Sequence, residues 1–176
     1  MATELSGAKS QNLLSIGLID SAGPWRYSKR VEPRVTKRTK DRTVYFTVWW
    51  SPLVPLTKRV IAGRVPSLPG VFEIYRDEGA RTPQLVGRSR AYYGGLRNTF
   101  RGLIDSISPY PLNGELLDLT MPHFARYAVT PSADDMDDIL FFFAARIGLG
   151  DELDDSGRYE MIYLNEEALR ANGRPR

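Results

Sequence analysis

Eight basic side chains crowd residues 26–42: Arg26, Lys29, Arg30, Arg34, Lys37, Arg38, Lys40 and Arg42, with Trp25 and Tyr27 among them. Cations at this density neutralise phosphates and release condensed counterions, and a neighbouring aromatic ring can stack on a base. The chemistry indicated is polyanion binding; the plain alternative is a solvated basic surface. Arg88, Arg90, Arg97 and Arg101 form a second basic set. Asp134, Asp135, Asp137 and Asp138 form an acidic one, in which Asp134 shares a helix face with Asp137 or with Asp138 and could hold a cation with it. The competing use of these acids is to complement the dipole at a helix N-terminus. His123 is the only histidine and there is no cysteine. That excludes two-histidine metal sites, thiolate centres, disulfides and cysteine nucleophiles.

Charge is distributed unevenly around a net +3. Residues 1–64 carry twelve Lys/Arg against four acids, residues 65–132 seven against six, and residues 133–176 five against eleven. A basic N-terminal part and an acidic C-terminal part suggest that the former faces a polyanion. The 176 residues suffice for one domain with a real core. No apolar run approaches the ~18 residues of a membrane span. The N-terminus has Glu4 and no basic stretch before its apolar part, unlike a secretory signal. A cytoplasmic protein with no membrane partner is expected.

Residues 1–42 are expected to form an N-terminal extension ending in a basic loop or arm, broken by Pro33. Residues 43–176 are expected to form one α/β domain. Its elements follow from local pattern. Thr43–Trp50 is β-branched and aromatic throughout, hence a strand. Gly70–Tyr75 and Gln84–Gly87 flank an Asp77-Glu78-Gly79 turn, hence a hairpin. Leu96, Phe100, Leu103 and Ile104 recur at helical spacing, after Gly94-Gly95, which would form a turn or a phosphate cradle. Phe124–Thr130 alternates, as a strand does. Ser132 begins the clearest helix, with Met136, Ile139, Leu140, Phe143 and Ile147 on its buried side. Phe141-Phe142-Phe143 wraps more than one face of it, so burial is expected against the sheet and against another element or a second copy of the chain. Arg158–Leu164 reads as a strand and Asn165–Ala171 as a short helix capped by Asn165. The fold class expected is α/β (α+β): a small, mostly antiparallel sheet flanked by helices.

The span from about 65 to 147 also resembles a known domain. Leu68-Pro69-Gly70-Val71-Phe72 is similar to the "PGVY" opening of GIY-YIG nucleases, and Leu85-Val86-Gly87-Arg88-Ser89 stands where "YIG" would. Leu96-Arg97 and Arg101 stand where the family has "LRxRL", and Ala133 to Leu140 is similar to "AxxLExxL". The departures are Phe72 and Leu85 for the two tyrosines, Thr99 for the arginine and Asp137 for the metal-binding glutamate. A benzyl ring or an isobutyl group cannot position water as a phenol does.

The resemblance implies an endonuclease scaffold. If it cuts, Asp137 would hold Mg²⁺ or Mn²⁺, Arg97 or Arg101 would steady the developing charge, and Tyr75 or Tyr93 would orient water. Two functions are therefore expected in competition. One is nucleic-acid binding, with DNA ahead of RNA, through the run at 26–42 together with Arg88 and Arg90, with or without metal-dependent cleavage. The other is a non-catalytic interaction protein whose basic arm docks on an acidic protein.

Overall fold

A computed structural model describes residues 31–79, 81–147 and 156–170. The expected arm is a strand over much of its length. β1 (Arg34–Lys40) pairs antiparallel with β2 (Thr43–Trp50) through every residue, around a tight turn with Asp41 at positive φ. The boundary expected at residue 42 therefore falls inside a hairpin. The physical reason is pairing: β1 has few apolar residues, but its alternate positions Val35, Lys37 and Thr39 lie opposite Val48, Phe46 and Val44 of a strongly β-forming partner.

β3 (Val54–Pro55) and α1 (Lys58–Arg64) occupy the proline-rich connection, and Thr57 caps α1 by accepting from the Val60 amide. The hairpin β4 (Gly70–Arg76) and β5 (Gln84–Ala91) follows, then α2 (Gly95–Leu103), β6 (His123–Val129) and α3 (Ala133–Arg146). The expected order of strand, turn, strand, helix, strand, helix is thus present from β4 to α3. β7 (Met161–Ala168) closes the sequence. It takes in Asn165, so the short C-terminal helix expected there is corrected. Eight consecutive parallel pairs with β2, from Thr43–Met161 to Trp50–Ala168, outweigh the local helix signal.

The strands form one curled sheet in the order β5-β4-β6-β1-β2-β7, with β3 also on β6. It is mixed, not mostly antiparallel as expected: β1–β6 and β2–β7 are parallel. Ser51 ties the end of β2 to β6. There the chain leaves β2, its amide donates to the Tyr127 carbonyl at 2.9 Å, and its Oγ accepts from the Tyr127 amide at 3.0 Å.

Two cores result. Phe72 and Ile74 of β4 and Ala125 and Tyr127 of β6 pack beneath Leu96, Phe100 and Leu103 of α2 and Ile61 of α1. On the concave face, Val44, Phe46, Val48 and Trp50 of β2 join Val71, Ala128 and the α3 residues Met136, Ile139 and Phe143. Helices α1 and α2 therefore cover only the β5-β4-β6 half of the outer face. Among the described residues no helix packs on the outer face of β1-β2-β7.

Candidate nucleic-acid interface

Strand alternation sorts the basic run into two groups. Lys37 points to the concave side, where its Nζ donates to Asp135 of α3 at 2.8 Å. Arg34, Thr36, Arg38 and Lys40 alternate with it and lie on the outer face. Arg42 has turned off the strand and pairs with Glu160 at 2.8 Å. Arg34, Arg38 and Lys40 have no carboxylate partner among the described residues. Arg26, Lys29 and Arg30 lie outside the described residues.

The registers of β1 with β2 and of β2 with β7 define the rest of this face rung by rung. Lys40, Thr43 and Met161 form one rung; Arg38, Tyr45 and Tyr163 the next; then Thr36, Thr47 and Asn165; then Arg34, Trp49 and Glu167. Tyr45 and Tyr163 stack, with ring centroids 5.1 Å apart and planes 9° from parallel. They remain 45% and 48% exposed. A cavity of about 610 Å³ draws its lining from both sides of this part of the sheet: Arg38, Tyr45 and Tyr163 from the outer face, and Phe46, Leu164 and Phe142 of α3 from the concave one. Tyr45 and Tyr163 did not stand out as binding residues in the sequence, whereas Trp49-Trp50 reads there as core plus an interface or groove wall. The period-two pattern of Arg34, Thr36, Arg38 and Lys40 was the available signal for β1, and its partner strands could be found only from the pairing.

The second basic set is differently employed. Glu73 of β4 lies between Arg88 of β5 and Arg126 of β6 on one rung, with no exposed surface, and accepts from both. Burial alone would raise its pKa, but Arg126, Tyr75 and Arg88 outweigh burial and hold the carboxyl below the ordinary glutamate value. Tyr75 donates to the same carboxylate at 2.5 Å, and burial together with that carboxylate pushes its pKa up. This favours the neutral phenol. Arg126 also lies over the Trp50 ring at 4.7 Å and reaches Glu166 of β7, which accepts from Trp50 Nε1 at 2.9 Å. Arg90 pairs with Asp137. Arg97 Nε donates to the Val65 carbonyl at 2.8 Å, and Arg101 is exposed at the end of α2. The Gly94-Gly95 turn is no open cradle, because the Leu96 and Arg97 amides already donate to the Leu68 and Pro66 carbonyls.

The residues expected to cut do not converge. Phe72 is buried on the α2 side of β4, where it meets Phe100 edge to face, whereas α3, which carries Asp137, packs on the opposite side. Leu85 is partly exposed on the outermost strand. Tyr93 is 90% exposed and Tyr75 is bound to Glu73. Among the described residues no group of three or more His, Asp or Glu is placed to hold a cation, and the Asp137 carboxylate is taken by Arg90. The donor set does not fit a magnesium centre. The other acids at the start of α3 serve Arg158, which pairs with Asp134, Asp135 and Asp138. His123 begins β6, is buried, and places Nδ1 2.9 Å from the Met121 carbonyl.

Fold and site thus define a mixed α/β protein with one basic and aromatic sheet face on which no described helix packs. The chain belongs to a family described as "Uncharacterised protein", whose model matches residues 34–174. That match opens on the first residue of β1 and so takes in the strand that carries the basic row. No curated protein and no solved structure matches the chain.

Proposed function

We propose that the protein binds nucleic acid across the outer face of β1-β2-β7. The supporting observation is the row Arg34, Arg38 and Lys40, three cations on one side of one strand, without carboxylate partners among the described residues. Lys37, Arg42, Arg88 and Arg90 are engaged by Asp135, Glu160, Glu73 and Asp137, whereas Lys58, Arg59 and Arg64 of α1 and Arg101 of α2 also have no carboxylate partner among the described residues; what sets the β1 cations apart is that they lie in one row on a strand beside exposed aromatic rings. Alternate residues of a strand lie roughly 6–7 Å apart, so the row offers a linear track of positive charge. Each phosphate neutralised by such a row releases counterions, which makes binding steeply salt-dependent. No cleavage step is assigned, since the carboxylates, arginines and tyrosines that would perform it are dispersed or already paired.

Titrating a labelled oligonucleotide with the protein from low to physiological salt tests the reading. Binding should weaken as salt rises. Replacing Arg34, Arg38 and Lys40 together by alanine should flatten the log–log slope by about 2 to 3, close to one for each phosphate no longer neutralised. Absence of binding at low salt, or a slope that the triple variant leaves unchanged, overturns the proposal.

A further inference from the structure

We infer that the nucleic acid held on this face is single-stranded, with unpaired bases stacked on the Tyr45–Tyr163 pair. The inference rests on the reading of the face as a nucleic-acid surface and adds what the basic row alone does not specify. The core does not require these rings. On the same strands the concave side is filled by Val44, Phe46, Ile162 and Leu164, while the two tyrosines stand on the opposite side, on which no described helix packs. Their near-parallel planes turn one ring face inward to the partner and leave the other outward. Arg38 of β1 stands beside Tyr45 on the same rung, and Tyr163 lies on β7, the last described strand at that side of the sheet.

A duplex hides its base faces within its own stack and would offer this surface only phosphates. A single strand offers both parts: phosphates for Arg34, Arg38 and Lys40, and bases for the rings. On the adjacent rung Asn165 donates to Glu167 at 3.1 Å and Thr36 to the Thr47 carbonyl at 3.5 Å, which leaves the Thr47 hydroxyl and the Asn165 carbonyl to meet base edges. Trp49, four residues along β2 and so roughly 13 Å from Tyr45, is a further aromatic on the same face.

Fluorescence anisotropy with a labelled mixed-sequence 12-mer, as DNA and as RNA, against the blunt duplex of the same sequence, tests this. Heparin serves as a polyanion without bases. The single strand should bind at least tenfold more tightly than the duplex. Tyr45→Ala and Tyr163→Ala should each lose about tenfold on the single strand. Tyr45→Phe and Tyr163→Phe should stay near wild type, and all four should keep wild-type heparin affinity, which also reports an intact fold. Equal affinity for duplex and single strand, or alanine variants that bind the single strand as wild type does, overturns the stacking inference and leaves the basic-face reading standing. Failure to bind either nucleic acid removes both.

Discussion

Glu73 is a fully buried carboxylate held by two arginines and a tyrosine. A carboxylate without exposed surface is tolerable only with full pairing, and Arg88 and Arg126 from the two neighbouring strands and Tyr75 from its own strand provide it. Glu73→Gln removes the charge but keeps the shape, leaving Arg88 without a carboxylate partner and Arg126 with Glu166 alone. The expected cost is about 3–5 kcal/mol, read by urea denaturation at neutral pH. The acid limb is also predicted. Because the folded carboxyl sits below the ordinary value of 4.5, its contribution is fully present above that pH and is lost as pH falls through the folded value. Wild type should therefore lose stability between pH 5 and strongly acid conditions more steeply than Glu73→Gln. Parallel acid limbs for the two proteins would show that Glu73 is not held charged by its partners. How little of this was visible in the sequence is instructive. Glu73 and Arg88 stand fifteen residues apart in unremarkable strand segments, and only the register of β4 with β5 and β6 brings them to one rung.

At the scale of elements, α3 shows the difference between a local and a tertiary device. Its N-cap is local: Ser132 Oγ accepts from the Asp135 amide at 3.1 Å. Ser132→Ala should cost about 1 kcal/mol. Its acids are tertiary. Arg158 from the segment before β7 pairs with Asp134, Asp135 and the buried Asp138, and these acids overcome the burial that opposes the Arg158 charge, holding its pKa above the usual arginine value. Arg158→Ala strands Asp138 with Ser156 as its remaining described partner. The expected loss is larger, about 3–5 kcal/mol, in the same denaturation experiment. If Arg158→Ala proves milder than Ser132→Ala, the pairing contributes little and the cap is the stronger device. The acids looked in the sequence like a helix-dipole complement, and that part is right for Asp134 and Asp135, which occupy the first turn. The guanidinium that occupies them was not legible, because Arg158 lies some twenty residues downstream.

At the scale of the molecule, the two cores share strands. Val71 and Phe72, neighbours in β4, point into different cores, as do Ala128 and Tyr127 of β6. Loss of either core removes one face of the same strands, so the halves should not melt separately. Far-UV circular dichroism and tryptophan fluorescence are expected to report coincident thermal transitions. Trp49 and Trp50 both lie in β2, so, measured in a Trp25→Phe background, an earlier fluorescence transition would show that β1-β2-β7 detaches first.

By itself the sequence determined the elements whose cause is local: the β4–β5 hairpin from its Asp-Glu-Gly turn, α2 and α3 from helical spacing and caps, and the strand character of β2. It also determined that basic charge is concentrated before residue 43. Only the tertiary structure decided which of those charges are available. Lys37 and Arg38 are adjacent and similar in type, yet strand alternation sends one to Asp135 and leaves the other on the opposite face. The sequence also marked Arg158–Leu164 as a strand, but only pairing with β2, over a hundred residues away, carries β7 on through Asn165 to Ala168, and only pairing with β2 makes the basic run a strand. The physical reason is common to both. Propensity and capping act within a few residues, whereas pairing register and charge neutralisation depend on partners that folding alone brings together.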